Sequence, residues 1–221
     1  MSTVATREVC LHPSMPRGGL VQCADCHGLF RDDKKLVSVS KIVGMLPQEP
    51  CSECKFPMWG DHDPRGCSVK KNIENAKERG SQVDALFSAY VMGKLSKFPI
   101  GTRDDSEALF NKLADWFDKQ RFTDVEAQVL VGDDEVGGVL DLRVDGMILD
   151  IKAVYDPSPT HAIQVAGYAF LGNADRCGIL HVTARHNTPR LITLDRERVV
   201  DDFLMCRQMW RTAERLKRLK L

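Results

Sequence analysis

Residues 137–152 read Gly-Gly-Val-Leu-Asp-Leu-Arg-Val-Asp-Gly-Met-Ile-Leu-Asp-Ile-Lys, and this stretch decides the fold. Side chains alternate between two faces over Gly138–Val144, which indicates a strand with one face toward a core. Asp145–Gly146 is a dipeptide typical of the type I′ turn, and Met147–Val154 is apolar enough to be the returning strand. The stretch therefore predicts an antiparallel β-hairpin whose register is fixed by its two-residue turn.

Two acids and a lysine fall on one face of this predicted hairpin. Centring the turn on Asp145–Gly146 pairs residue i with residue 291 − i, so Asp141 lies opposite Asp150, with β-carbons about 5 Å apart. Lys152 lies two residues beyond Asp150 and shares its face. A divalent cation would turn the repulsion of the acids into a binding site, and the lysine would stabilise developing negative charge. The alternative is a solvated face whose acids pair with Lys152 and Arg143, but the apolar flanks favour the site.

Outside the hairpin, helical and strand patterns alternate along the chain. The predicted helices are Lys70–Lys94, Asp104–Lys119, Thr160–Leu171 and Glu197–Leu219. The other predicted strands are Val125–Val131, Cys177–Thr183 and Leu191–Leu194. Asp104-Asp105-Ser106 is predicted to cap the second helix, and Glu126 adds a third acid on the strand before the hairpin. This order predicts an α/β fold in which helices flank a mixed central sheet.

The chain as a whole is neutral, because 31 Lys and Arg residues balance 31 Asp and Glu residues among 221. The charge is uneven, however: residues 104–156 hold 5 basic and 14 acidic side chains, a local charge of −9. No apolar run reaches the roughly 18 residues of a membrane span, and the first thirty residues lack the apolar block of a signal peptide. We therefore expect a cytoplasmic protein with no membrane partner.

Six of the eight cysteines lie in the first 67 residues, where reduced thiols at this spacing indicate metal binding. Cys23-x2-Cys26 and Cys51-x2-Cys54 have zinc-knuckle spacing. One ribbon built from both pairs leaves two cysteines unused, whereas two sites use all six. The two sites would be Cys10, His12, Cys23 and Cys26, then Cys51, Cys54, His62 and Cys67, with His27 as a substitute. We favour two sites because Ser38–Leu46 has a helical pattern.

The cysteines also divide the chain near residue 70. Residues 1–69 form the predicted cysteine-rich head, which overlaps the initial segment of the body at 36–50, and residues 70–221 form the body. The two later cysteines, Cys177 and Cys206, lie in apolar surroundings and are predicted to be buried.

Five motifs follow one another in a fixed order between residues 36 and 180. They are Ser38–Leu46, Arg79–Tyr90, Val125–Gln128, Gly138–Asp141 with Asp150-Ile-Lys152, and Gln164-x3-Tyr168. Together they resemble the PD-(D/E)xK nuclease superfamily, in its RecB-like branch common in phage genomes. The resemblance implies a restriction-endonuclease-like core and phosphodiester hydrolysis with Mg²⁺ or Mn²⁺.

The resemblance also implies residue roles. The implied ligands of the catalytic metal are Asp84, Glu126, Asp141, Asp150 and the Ile151 carbonyl. Lys152 would activate or orient the attacking water, and Gln164 and Tyr168 would orient the site or touch the DNA. The family usually carries a histidine where Asp84 stands. An aspartate retains oxygen ligation, but it also leaves open an altered metal preference or a weakened activity. His161 is a further substitute.

The same resemblance raises an alternative for the cysteines. Some RecB-like nucleases bind a four-iron cluster through cysteines, three of which follow the nuclease core. This chain has no such C-terminal group, so we expect one or two structural Zn²⁺ ions and keep an iron–sulfur nuclease as the competitor.

We expect a DNA exonuclease or endonuclease of recombination, repair or processing, in the host cytoplasm if phage-encoded. A recombination or replication protein is a possible partner, and a weak or inactive zinc protein that binds nucleic acid is the alternative function. The final helix has Met205 and Met209 on one side and arginines on the other. The residues predicted to meet DNA phosphates are Arg207, Arg211, Arg215, Arg218, Lys71 and Arg79.

Overall fold

The computed structural model describes residues 19–24, 26–32, 34–46 and 68–218. Its helices are α1 (Val39–Val43), α2 (Ser68–Val91), α3 (Asp104–Gln120), α4 (Pro159–Leu171) and α5 (Arg196–Arg218). Its strands are β1 (Leu20–Gln22), β2 (Leu29–Arg31), β3 (Lys34–Lys35), β4 (Val37–Ser38), β5 (Val125–Gly132), β6 (Val136–Val144), β7 (Met147–Lys152), β8 (Arg176–His181) and β9 (Arg190–Thr193). Most of the predicted zinc ligands lie outside the described residues, namely Cys10, His12, Cys51, Cys54, His62 and Cys67.

A mixed sheet of six strands forms the centre of the described structure. Strands β5, β6 and β7 make an antiparallel meander, and β4 lies parallel to β6. β7 and β8 are parallel, as the α4 crossover between them requires, and β9 returns antiparallel to β8. The predicted mixed central sheet flanked by helices is therefore confirmed.

Helices cover both faces of this sheet. On one face, α1, α4 and α5 pack around the fully buried Val39, Val165 and Phe203. On the other face, α2 and α3 pack around the fully buried Phe87 and Leu113. Burial of each such side chain stabilises the fold by about 1.5–3 kcal/mol. Every helix in the described part of the chain is too short or too polar to span a bilayer.

The β6–β7 hairpin has the predicted turn and register. Asp145 and Gly146 have φ angles of 45° and 76°, the left-handed conformations that a type I′ turn requires. The paired residues run from Val144–Met147 to Leu142–Leu149, and the numbers of each pair sum to 291. The turn chemistry therefore predicts the register correctly.

Two helix starts differ from the sequence predictions. The predicted cap of α3, Asp104-Asp105-Ser106, is wrong, because Arg103 is the N-cap and the acids lie in the first turn. There they face the positive end of the helix dipole. The segment predicted as one helix from Ser38 begins with β4, and Ser38 Oγ caps α1 by accepting from the Lys41 N–H at 3.2 Å.

A second, three-stranded sheet of β1, β2 and β3 precedes the main one. The loop between β1 and β2 carries Cys23 and Cys26, and the Cys23 N–H donates to the Gly28 carbonyl at 2.9 Å. Arg31 joins this sheet to the main one, since its Nη2 donates to the Gly132 carbonyl at 2.9 Å. Strands of two or three residues show no periodicity, so the sequence did not predict them.

Helix α5 buries a different side from the one that its apolar stripe indicates. Met205 is 62% exposed, whereas Arg207 is only 7% exposed. Arg207 Nη1 lies 2.6 Å from Asp133 Oδ2, and its Nη2 donates to Glu135 at 3.0 Å. Arg211 also donates to Glu135. Two acids at the β5–β6 turn thus hold Arg207 inward and pair with the exposed Arg211, so the basic face predicted there loses Arg207.

Candidate active site

The two predicted acids lie at the end of the β6–β7 hairpin farther from its turn. Backbone pairing stops at Leu142–Leu149, and the next residues outward are Asp141 and Asp150. Asp141 Oδ2 accepts a 2.8 Å hydrogen bond from the Ile151 N–H. The Asp141 side chain therefore replaces a backbone acceptor and is held against β7.

Asp150 and Lys152 form a buried ion pair on β7. Asp150 is 1% exposed, and Lys152 Nζ lies 2.6 Å from its Oδ2. That buried oxygen accepts no hydrogen bond of ordinary geometry from the described residues. A carboxylate has about four lone-pair sites, so Asp150 retains acceptor capacity for a second cation.

Asp84 reaches the same site from α2. Ser88, one helical turn further along, donates its Oγ–H to Asp84 Oδ1 at 3.5 Å, and it accepts from Gln128 Nε2 at 2.9 Å. This chain of hydrogen bonds ties the helix to β5. These hydrogen bonds thereby fix the distance between Asp84 and the sheet.

Gln128 has a strained backbone within β5. Its φ is 55°, a left-handed conformation that costs a non-glycine residue on the order of 1–3 kcal/mol. The flanking pairs Ala127–Leu142 and Val129–Leu140 place Gln128 across from Asp141. The strained residue thus lies on β5 directly opposite Asp141 of β6.

The charged groups of the site act strongly on one another. Burial, and then the charges of Asp150 and Asp84, raise the pKa of Asp141 well above its ordinary value. Burial also raises the pKa of Asp150, against the pull of Lys152. Burial and Asp150 together raise the pKa of Asp84.

Lys152 keeps its proton in this setting. Burial opposes its charge, but Asp150 and Asp141 outweigh burial and raise the pKa of the ammonium group above its ordinary value. The site therefore holds one fixed cation among carboxyl groups whose negative charges repel one another. A further cation would relieve that repulsion.

Helix α4 closes one side of the site. Gln164 Nε2 donates to Tyr168 Oη at 3.1 Å and to Ser40 Oγ of α1 at 3.2 Å. The Tyr168 ring lies against Gly138, where a β-carbon would overlap it. Burial and the charge of Asp150 raise the pKa of Tyr168 to about 12, so the phenol stays neutral.

His161 lies at the start of α4, where it caps the helix. Its Nδ1 accepts the Ser158 N–H at 3.0 Å. Burial and the charge of Lys152 lower the pKa of His161 to about 4, so the ring is neutral at neutral pH. Because Nδ1 caps the helix, only the other ring nitrogen of His161 remains available as the predicted substitute metal ligand.

These groups surround a pocket of about 490 Å³ beside α2. The site residues that line it are Asp84, Asp141, Ile151, Lys152 and His161. Lys77 also lines the pocket and adds a positive charge. The structure therefore brings Asp84, Asp141 and Lys152 to one cavity, and the buried Asp150 lies behind its lining, paired with Lys152.

The donor set of this pocket suits a hard divalent cation. Among the described residues, no three His, Cys, Asp or Glu side chains converge as a complete metal site. Asp141 Oδ2 is turned toward the Ile151 N–H, and Asp150 Oδ2 toward Lys152. Mg²⁺ needs only one or two protein carboxylates, since water and phosphate supply its other ligands. The repelling carboxylates fit such an ion.

Glu126 lies outside the pocket, contrary to the prediction that it joins the metal site. β5 pairs Glu126 with Arg143, and Arg143 Nη1 lies 3.6 Å from its carboxylate. The residue of β5 across from Asp141 is Gln128. The sequence placed Glu126 on the correct strand but did not reveal the register of that strand.

Three residues of the site were not predicted individually. Ser88 follows Asp84 by four residues on a predicted helix, and this spacing alone would have indicated the contact. Ser40 and Gln128 fall inside predicted motifs. No sequence signal marks a positive φ at Gln128, because glutamine rarely adopts it.

Comparisons with known proteins support the fold. No family model and no curated protein sequence matches the chain. A provisionally assigned exonuclease from Eubacterium rectale has a TM-score of 0.52 at 17% identity, over 84% of this chain and 82% of its own.

Two further structures resemble the chain more weakly. An alkaline exonuclease from Laribacter hongkongensis in complex with dAMP has a TM-score of 0.42 at 13% identity, over 84% of this chain and 93% of its own. A phage-related exonuclease from Haemophilus somnus has a TM-score of 0.36 at 11% identity, over 77% and 89%. TM-scores below 0.5 do not establish a shared fold. The Eubacterium rectale similarity shows that the chain shares a nuclease-like fold of a mixed central sheet and flanking helices.

Proposed function

We propose that this protein is a metal-dependent deoxyribonuclease that hydrolyses phosphodiester bonds, as an exonuclease or an endonuclease. The proposal rests on one observation: Asp84, Asp141 and Lys152 line a single pocket, and the buried Asp150 pairs with Lys152 at 2.6 Å, although these residues come from two strands and a helix. The fold shared with the Eubacterium rectale protein supports the same reaction class.

Asp141, Asp150 and the Ile151 carbonyl would hold Mg²⁺ or Mn²⁺ in this proposal, with Asp84 as a further oxygen ligand. When bound, such an ion supplies Lewis-acid stabilisation of the phosphate and lowers the pKa of a coordinated water. Asp84 stands where the family has a histidine, and its oxygen suits a hard cation better than it suits a soft one.

Lys152 contributes a fixed positive charge to the reaction. Since its neighbours raise its pKa, the ammonium group donates hydrogen bonds and takes no proton from water. It orients the attacking water or stabilises the charge that grows on the phosphate oxygens. Tyr168, whose hydroxyl accepts from Gln164, packs its ring against Gly138 of β6 and thereby helps to exclude water from Asp150.

The proposal is tested by incubating linear, circular and single-stranded DNA with the purified protein and Mg²⁺ or Mn²⁺. Wild type should degrade at least one substrate, and Asp150→Asn should not. Asp201→Asn, on the exposed side of α5, is the matched control and should retain activity. If wild type binds DNA but cleaves none of these substrates, the alternative of an inactive nucleic-acid-binding protein replaces the proposal.

We also propose one or two structural Zn²⁺ ions in the cysteine-rich head. Cys23 and Cys26 lie on one loop, whose backbone is fixed by two 2.9 Å hydrogen bonds between Cys23 and the residues that follow Cys26. A role in recombination, repair or DNA processing in the cytoplasm, with a protein partner, is part of the same proposal. The exposed Lys71, Arg215 and Arg218 remain its candidate phosphate contacts.

A further inference from the structure

A second pocket, of about 430 Å³, adjoins the candidate active site. The two pockets share Ala153 and Val154, which directly follow Lys152 at the end of β7. A DNA strand bound with its scissile phosphate beside Lys152 would therefore continue directly into the second pocket.

An aromatic ring and a guanidinium group stand together in this second pocket. Tyr155 is 58% exposed, although it is a large aromatic residue. The Arg185 guanidinium carbon lies 2.9 Å from the centre of the Tyr155 ring, in a cation–π arrangement. Both are planar groups of the kind on which nucleobases stack.

The position of Arg185 is fixed from another element. Lys112 of α3 donates to the carbonyls of Thr183, Ala184 and His186 at 3.3, 3.5 and 2.8 Å. One ammonium group thus holds the turn after β8 that carries Arg185. The Tyr155–Arg185 pair therefore lies on a part of the surface that is held in place by hydrogen bonds from Lys112.

The lining of this pocket is more positive than that of its neighbour, where two lysines and two aspartates balance. Its charged lining residues are three cations, Arg79, Lys112 and Arg185, against the single carboxylate of Asp105. Arg79 Nη1 lies 3.6 Å from Asp105, but its buried Nε has no hydrogen-bond partner among the described residues. The Arg79 side chain is 30% exposed, and a guanidinium beside an aromatic platform suits a phosphate next to a base.

We propose that this pocket binds one unpaired nucleotide of the DNA strand, next to the phosphodiester bond that is cleaved. The base stacks on the Tyr155–Arg185 pair, and the phosphate on its other side meets Arg79. The proposal rests on the proposed nuclease function and specifies its substrate as a strand whose terminal or flanking base is unpaired at the site.

The test compares the affinities of two fluorescein-labelled 12-nucleotide strands by anisotropy. One strand is oligo(dT) and the other has the same phosphates with abasic sugars, so only stacking distinguishes them. Ca²⁺ replaces Mg²⁺, and a gel confirms that the strands stay intact. Wild type should bind the strand with bases more tightly than the abasic strand.

The variant Tyr155→Ala should lose that preference. Its affinity for oligo(dT) should fall by about 5- to 150-fold, the range expected for one stacked base. Tyr155→Phe should bind like wild type, and Met205→Ala, on the opposite face of the sheet, should have no effect. If Tyr155→Ala does not fold, Arg185→Ala is used in the same comparison and should show a loss in the same direction.

Equal affinity of the folded Tyr155→Ala protein and wild type for oligo(dT) would overturn the stacking site. The proposed function would then still stand, provided that wild type cleaves DNA and Asp150→Asn does not. If wild type neither binds nor cleaves any DNA, the proposed function fails and the stacking site fails with it.

Discussion

Replacement of Asp141 by asparagine should stabilise the protein at neutral pH in the absence of divalent metal. Asparagine keeps an oxygen that accepts the Ile151 N–H, so the shape of the site is preserved. It removes a buried charge that faces the carboxylates of Asp150 and Asp84. A single stabilising substitution commonly contributes about 0.5–2 kcal/mol, and we expect a gain in this range.

The pH dependence follows from the direction of the pKa shift. Because the folded-state pKa of Asp141 is raised above the ordinary 3.8, the native protein holds a proton that the unfolded chain releases. Below the unfolded-state pKa, the ionisation of Asp141 therefore does not lower the free energy of unfolding of wild type. As the pH rises through the folded-state pKa of Asp141, that free energy falls. The advantage of Asp141→Asn should be absent near pH 3.5 and reach its full value above the folded pKa.

The measurement is thermal unfolding in EDTA across this pH range, followed by circular dichroism. A chain of this length shifts its Tm by about 2–4 °C per kcal/mol, so a rise of roughly 1–8 °C is expected at the alkaline end of the range. Addition of Mn²⁺ should stabilise wild type more than the variant. If Asp141→Asn is no more stable than wild type at the alkaline end of the range, while Asp201→Asn is unchanged, the carboxylates do not repel each other as the structure indicates.

Three further changes test separate parts of the structure. Gln128→Gly should be more stable in urea than Gln128→Ala by about 1 kcal/mol, because only glycine adopts the φ of 55° without strain. Equal urea midpoints for the two variants would show that the backbone at residue 128 is not strained. Arg207→Met should lower the free energy of unfolding by about 1.5–3 kcal/mol, the contribution of hydrogen bonds to charged groups, since it removes the buried partner of Asp133 and one of the two arginines on Glu135. The exposed Arg215→Met should be neutral, and a neutral Arg207→Met would contradict the packing of α5. Purified protein should contain zinc, and Cys23→Ser should reduce it, as elemental analysis will show; a brown protein that contains iron overturns this assignment.

The hairpin could be predicted because local chemistry determines it. Asp145–Gly146 accepts the left-handed angles of a two-residue turn, and a fixed turn fixes the pairing of every residue behind it. The faces of Asp141, Asp150 and Lys152 follow directly from that register. Cys177 and Cys206, predicted from apolar neighbours, are indeed buried.

The parts that failed depend on contacts distant in sequence. Glu126 and Gln128 share a strand, and only the register of β5 against β6 determines which of them lies across from Asp141. An arginine stripe on a helix does not reveal that acids at a distant turn pair with it, as Asp133 does with Arg207. The convergence of α2 on the hairpin was inferred from the family resemblance, because helix spacing carries no information on tertiary position.

The assignment of the active site is tested by the single-turnover rate of DNA cleavage by Lys152→Met at saturating Mg²⁺. Methionine keeps much of the stem and removes only the charge beside Asp150. The rate should fall by about 10²–10³-fold, the cost of removing one group that stabilises a transition state, while affinity for DNA changes little. A variant that cleaves as fast as wild type would contradict the assignment of this pocket as the active site.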